Sequence, residues 1–599
     1  MDTIFDKVRE METDDISGNT TISKYVTFSL RENIEKIDAY LNSKHISGEL
    51  DSQGREKPFF NIVTAAVNIW YRATDIDRKN IRIRATKGKQ VLTSFLATAK
   101  LQYWMRKSGF GAFLNDWGRS LARYGSSILK FVEKDGTLYA EVVPWNRMIV
   151  DPIDFENNLK IEILELTPSQ LRSRPYYNQD MVENLIQNLT TRKTTDGQQN
   201  KDNKAGYIKL YEVHGEMPVS WYKEAKGQEV LDGDDKKYAQ QMHVISFIEG
   251  SEKGTYEDYT LVCGYEKKDP YMITHLVKED GRTQSIGAVE HLMEAQWMVN
   301  HSVKSIKDQL DLASKLIFQT SDGNFVGQNA LSNIETGDIL IHATNQPLTQ
   351  VNNGSHDITS LQSFGNMWKM LGQEITSTPD ALMGNNAPSG TAWRQVEALQ
   401  SEAHSLFELF TENKGLDIER MMREYVIPHL KSKLDSTEEV VATLDSYGID
   451  KIEAAYIKAK STEIANKMNA EILFKQAEEG TLTEEAQFTS PEEQAIKLQQ
   501  GMQEMGSERF IKASDVPTKT WKEVFDDFEW DVEADVTGES SYSKEDLATL
   551  TTVFQTIADP AKQAVLQTPQ GKMLFNEILN KTSAISPVQL QALTPVGGV

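Results

Sequence analysis

A single cysteine, Cys263, in 599 residues excludes an internal disulfide framework and any zinc-ligand spacing built on thiolates. Its setting, TLVCGYE, reads as a strand in which a small thiol packs like an apolar residue. No apolar run reaches the roughly 18 residues that could span a bilayer. The start MDTIFDKVREMETDD is acidic where a secretory signal is basic and then apolar, so the expectation is a soluble, unsecreted protein that does not engage membranes. Cations are scarce as well: 64 Lys plus Arg stand against 88 Asp plus Glu, a formal net charge of -24. That balance excludes a protein that neutralises phosphates over its whole surface, so any DNA contact has to be local or weak.

Enzyme signatures are also missing. The chain has no G-x-x-x-x-G-K-[ST] to cradle phosphates, no H-E-x-x-H and no G-x-S-x-G. SGFGAF supplies Gly109 and Gly111 without a third glycine and reads as a helix start. The ten histidines are scattered, so no metal site, no cofactor and no catalytic residue is expected.

What is present is an ordered succession of elements. SKYVTFSLRENIEKIDAYL repeats apolar residues at Val26, Leu30, Ile34, Ile37 and Leu41, a helical spacing with Ser23 as its expected N-cap. FFNIVTAAVNIWYRATDID reads as a buried helix, and residues 109 to 124 as another. SSILKFVEKDGTLYAEVVPW is a hairpin, because Asp135-Gly136 suits a type I′ turn with positive φ at both central residues. Strand-like runs continue to about residue 275, interrupted by TTRKTTDGQQNKDNKAG, which reads as an exposed loop. The first half is therefore α+β.

From Gly287 the pattern changes. Val289, Leu292, Gln296, Val299, Val303, Ile306, Leu310, Ala313 and Ile317 alternate steps of three and four, a narrow seam with one polar interruption that predicts a long helix packed beside similar helices. Lys304, Lys307 and Lys315 lie off this seam and are the candidate phosphate contacts, although Asp308 and Asp311 are interleaved with them. A second helical run begins near Ser360. Then TPDALMGNNAPSGTA, dense in Pro, Gly and Asn, exceeds the roughly 2 to 8 residues an ordinary helix connection needs. A third helix follows from about Ala392, stepping through Val396, Leu399, Ala403, Leu406 and Phe410, with Pro428 expected to end or kink it.

The last third carries most of the net negative charge. Residues 435 to 550 hold 11 Lys plus Arg against 27 Asp plus Glu, a net of -16. In DFEWDVEADVTGE, Glu529, Asp531, Glu533 and Asp535 alternate with apolar residues, the period of a half-buried strand. Consecutive carboxylates on that face are about 7 Å apart, too far for one ion without a second strand, so a solvated face is preferred to a nuclease-type metal site.

Three stretches carry a resemblance: WGRSLARYGSSILKFVEKDGTLYAEVVPWNRMIVDP, RTQSIGAVEHLMEAQWMVNHSVKSIKDQ and EITSTPDALMGNNAPSGTAWRQVEALQSEAHS. In this order the chain resembles the portal proteins of tailed double-stranded DNA bacteriophages over most of residues 55 to 435. The resemblance implies an α+β portal-type fold: an N-terminal wing (1–286), a first stem helix (287–315), a small β-containing clip (316–356) and a second stem helix (357–377). A channel loop (378–391), a long wing helix (392–435) and an acidic, mainly helical C-terminal region (436–599) follow. That last region would be the crown, with the strand at 528–536 either part of it or returned to the wing.

The resemblance further implies a homo-oligomeric ring, a dodecamer in this family, at one capsid vertex of the virion. The ring would pass double-stranded DNA and would dock the terminase large subunit, head-completion or tail adaptor proteins, and the major capsid and scaffold proteins. Leu382, Met383, Gly384, Asn385 and Asn386 would face the channel, and Val299, Val303, Ile306 and Leu310 would form the stem seam between subunits. The alternative in the same class is another virion structural protein, an adaptor or an internal head protein.

Overall fold

The computed structural model describes residues 3–313 apart from 25, 53, 77–80, 85–99, 196–205 and 250–254. It further describes 318–319, 321, 349–350, 358–378, 393–432, 457, 461–462, 464–476, 489–504 and 531–534. Within these residues the architecture is α+β.

The N-terminal helix α1 (Ile4–Ser17) is held by a capping box: the Thr3 side chain accepts the Asp6 N–H, and the Asp6 carboxylate accepts the Thr3 N–H. A short hairpin of β1 (Thr20–Ser23) and β2 (Val26–Phe28) follows, then α2 (Leu30–Leu41). The expected cap is thereby corrected. Ser29, not Ser23, caps α2 by accepting the Glu32 N–H, and Val26 is an exposed strand residue. The expected helices are present as α3 (Val63–Ala73) and α4 (Phe110–Tyr124), which bury Trp70, Phe110 and Trp117 in one core. Each such side chain removed from water contributes roughly 1.5–3 kcal/mol.

Two antiparallel sheets complete the N-terminal α+β region, which takes the label wing from the resemblance alone. One has the order β11 (Tyr271–His275), β4 (Ser126–Lys134), β5 (Thr137–Val143). Its β4–β5 turn is the expected one, with Asp135 at φ +50° and Gly136 at +71°. The other runs β10 (Tyr256–Tyr265), β9 (Tyr238–Glu249), β8 (Ile208–Pro218), β7 (Lys160–Leu166), β6 (Met148–Val150). Helix α1 covers one face of it through Ile4 and Val8, while α5 (Gln179–Thr195) covers the other through Val182, Leu185 and Ile186. The stretch TTRKTT, expected as loop, is thus the last turns of α5; the apolar spacing upstream carries the helix into a polar sequence.

Gly125, at φ +73°, ends α4 and lies against Gly287, which begins the next helical region. A Cβ on Gly287 would meet the Arg123 carbonyl oxygen at 2.3 Å and the Gly125 nitrogen at 2.5 Å, so only glycine fits this junction. Beyond it, α6 (Ala288–His291) breaks at Leu292 and continues as α7 (Met293–Ala313). The chain goes out through β12 (Phe318–Gln319) and returns through β13 (Thr349–Gln350), which pair antiparallel, and α8 (Ile358–Ile375) runs back along α7.

The long helix α9 (Trp393–Met421) enters the wing core with Phe407, Phe410, Ile418 and Met421. Pro428 does not end it. The chain widens into a π-type turn at Met422–Val426 and continues as α10 (Ile427–Ser432). The Glu424 carbonyl, whose helical donor Pro428 cannot supply, accepts instead from Lys268 Nζ at 3.3 Å. The acidic strand is β14 (Asp531–Ala534), and it returns to the wing, antiparallel to β3 (Ile81–Arg84).

Candidate assembly surface and channel loop

The seam of α6 and α7 serves two different purposes along its length. Val289, Leu292 and Val299 are buried within the chain's own core, as is Gln296, the polar interruption. Gln296 Oε1 accepts the Ile62 N–H (2.9 Å) and its amide nitrogen donates to the Phe60 carbonyl (2.7 Å); Asn300 Oδ1 accepts the Phe60 N–H (3.0 Å). The first turn of α3 is capped by Asn61, whose Oδ1 accepts the Thr64 N–H (3.0 Å), and Gln296 satisfies the Ile62 N–H just ahead of it. Val303 and Ile306 are half-buried and Leu310 is exposed. The expectation that Val299 belongs to an inter-subunit seam is therefore corrected. A stripe of apolar residues reports that a face is covered and not by what, and here the chain's own residues 60–62 and α8 cover the first half.

Gln296→Leu leaves the Ile62 N–H and Phe60 carbonyl without these partners, each unmet group costing about 1–3 kcal/mol. Melting of this variant is expected several degrees below wild type; an unchanged melt contradicts this role of Gln296 in holding residues 60–62.

Two of the candidate phosphate-binding lysines are occupied. Lys307 Nζ donates to the Glu56 carbonyl at 2.9 Å, and Lys304 Nζ lies 3.8 Å from Asp308, which also accepts from Arg55 at 2.8 Å. These contacts bind the loop around residues 51–56 to α7, so the interleaved aspartates are partners and not mere surface charge. Lys315 lies outside the described residues.

Helix α8 is unusual in what it leaves uncovered. It approaches α7 closely at Gly365 and Gly372, where an added Cβ would stand 3.3 Å from Ser302 Cβ and 2.8 Å from Leu292 Cδ2. Away from this contact, Phe364, Met367, Met370, Leu371 and Ile375 are exposed, and only Lys369 and Glu374 are charged among its 18 residues. On α7, Trp297 is exposed and stacks on His301, rings 5.7 Å apart and 10° from parallel.

The leading edge of the candidate channel loop is anchored in the wing. Trp70 Nε1 donates to the Thr376 carbonyl (2.9 Å), and Thr376 Oγ1 shares a 2.8 Å hydrogen bond with Thr378 Oγ1. Leu382, Met383, Gly384, Asn385 and Asn386 lie outside the described residues. On the far side, α9 is fixed by Asn413, which donates to the Leu276 carbonyl (2.6 Å), and by Lys414, whose Nζ donates to the Thr74 carbonyl (2.5 Å) beside Trp117. Burial lowers Lys414 to about 8.

The register of β14 places Asp531 opposite Arg84 and Glu533 opposite Arg82. Two of the four alternating carboxylates thus fall at register positions opposite arginines. Glu529 and Asp535 lie outside the described residues.

Sequence reasoning missed a buried ionic cluster between the two sheets. Lys130 on β4 donates to Glu162 on β7 (2.6 Å) and Glu212 on β8 (2.7 Å); Arg147 (2.9 Å) and the Tyr271 hydroxyl (2.9 Å) also donate to Glu162. His214 sits between Glu212 (3.0 Å) and Glu266 (2.8 Å). Burial opposes a charged imidazole, but the bonds to Glu212 and Glu266 outweigh it and raise His214 to about 9. Burial likewise opposes a charged Glu212, yet His214 and Lys130 bring it down to about 2.

The raised histidine contributes stability that is fully present below its ordinary value near 6.5 and is lost as pH climbs through 9. The melting-temperature gap between wild type and His214→Gln is therefore expected to narrow between pH 6.5 and 9.5; a constant gap means His214 is not charged in the fold.

A buried contact of Ser285 Oγ with His275 Nδ1 (2.9 Å) lacks the geometry of a nucleophile pair, because Asp417 accepts from the His275 backbone N–H (3.2 Å) and not from its ring. Among the described residues no cluster of three or more His, Cys, Asp or Glu could hold a metal ion, and no helix is long and apolar enough to cross a membrane. In comparisons with known proteins, no family model matches the chain and no curated protein matches it.

Proposed function

We propose that the chain is the portal subunit of a tailed double-stranded DNA bacteriophage, a closed ring of about twelve copies through which the genome is packaged, retained and ejected. The observation that carries this reading is α8: a helix with two charged residues in 18 and five large apolar side chains exposed, set beside α7. Such a face is stable in water only when covered, and further copies of the same hairpin are covers of matching shape and polarity. The order of elements supports the same reading. An α+β wing leads into α7, an excursion begun and ended by β12 and β13, a returning α8, a loop held by Trp70, and a long helix that re-enters the wing.

In this reading the protein is a structural channel and hydrolyses nothing. The terminase large subunit docks on it during packaging; head-completion or tail adaptor proteins replace the terminase, and the capsid and scaffold proteins surround the ring. The loop at 378–391 faces the DNA, and the acidic C-terminal region forms the crown apart from β14. Heads assembled in a host that lacks only this chain are expected to contain no DNA, with full heads restored by supplying it. Full heads without the chain would sink the proposal.

A further inference from the structure

We infer that the two outer sides of the α7–α8 hairpin are the two halves of a single head-to-tail contact: Trp297 and His301 of one copy seat against Met367 and Met370 of the next. The inference rests on the ring proposed above and specifies its contact. Side chains two positions apart on a helix point to opposite sides of it. On α7, Ala295 and Val299 are buried, with Ala295 against α8, so Trp297 and His301 stand on the side away from α8. On α8, Gly365 and Gly372 are the points of approach to α7, so Met367 and Met370 stand on the side away from α7. Trp297, Met367 and Met370 are 53%, 46% and 60% exposed. The hairpin is therefore a two-helix layer with an exposed aromatic pair, Trp297 and His301, on one outer side and an exposed thioether pair, Met367 and Met370, on the other.

A same-face contact would close at two copies and leave the other patch bare. A contact that joins unlike faces covers both and propagates until the ring closes. The chemistry is matched: a tryptophan stacked on an imidazole is a rigid aromatic anchor, and two thioethers form an adaptable, polarisable surface that favours aromatic rings. A partner of another kind on either patch would leave its opposite uncovered.

Two variants test this pairing, Trp297→Asp and the double change Met367→Asp with Met370→Asp. Each spoils one face and keeps the other, and because the altered residues are exposed each is expected to fold with the wild-type circular dichroism spectrum. Alone, each is expected to run as a single chain of 67.7 kDa in light scattering. Mixed in equal amounts, they join through the one intact contact and stop at twice that mass. Self-dimers of either variant would overturn the inference in favour of a same-face contact, and rings from either variant would remove these residues from the contact while leaving the ring reading intact. A wild-type chain that stays single removes the ring and this inference with it. As an independent readout, Trp297→Cys with Met370→Cys in a Cys263→Ser chain is expected to give a disulfide-linked ladder beyond the dimer on a non-reducing gel; a chain that forms no ladder overturns the pairing.

Discussion

Glu162→Ala is expected to lower the stability of the wing by about 3–5 kcal/mol, the usual loss when one partner of a buried ion pair is removed and the other is left without it. Glu162 is 4% exposed and receives three donors, Lys130, Arg147 and the Tyr271 hydroxyl, from three different segments. Its loss leaves Lys130 with Glu212 alone and strips the buried Tyr271 hydroxyl of its carboxylate, so the two sheets lose part of the ionic contact that registers them. Removing Lys130 as well, in Lys130→Met with Glu162→Leu, is expected to restore part of the loss, because a matched apolar pair carries no orphaned charge. Denaturant unfolding, with amide exchange of β4, β7 and β11 as a local probe, measures both. A loss below about 1 kcal/mol for Glu162→Ala would place the cluster among weak surface pairs.

Deletion of residues 382–387 is expected to leave ring assembly unchanged while the DNA content of heads falls sharply. The flanks of this segment have anchors of their own, at Thr376 by Trp70 and beyond it by Asn413 and Lys414 of α9. Leu382, Met383, Gly384, Asn385 and Asn386 include no cation, which suits a surface that DNA slides past. Asn386→Lys tests that point with one added positive charge per copy. Each added phosphate contact steepens the dependence of log affinity on log salt by about 0.9, and a ring sums such contacts into strong retention at low salt. Slowed packaging with intact rings is the expected phenotype. Normal genome content in both variants would make the segment a connector, and broken rings would move it to a subunit contact.

How far the sequence revealed this structure depended on whether a signal was local. The Asp135-Gly136 hairpin, α3 and α4 were legible because turn chemistry and apolar period act within a few residues. Ser29 was overlooked in favour of Ser23 because Val26 happens to fall in phase with α2, although it belongs to a strand. The seam at 289–317 was legible as a covered stripe, but Gln296 gave no sign that its partners were the backbone of Phe60 and Ile62, more than two hundred residues earlier. The return of β14 to the wing was open in the sequence; the partner IRIR, with arginines at the same period of two, was the signal that could have decided it. The ionic cluster was the least legible. Lys130, Glu162 and Glu212 occupy polar positions that look solvent-facing on any single strand, and only the packing of one sheet on another buries Glu162 and half-buries the other two.

Whether the chain closes into a ring is read from the mass of the purified wild-type protein by native mass spectrometry, with negative-stain images of the same sample. The expected result is a single species of about twelve chain masses with a central channel, built by head-to-tail contacts that close. A single-chain species at the same concentration, or a dimer with two-fold symmetry, would contradict it.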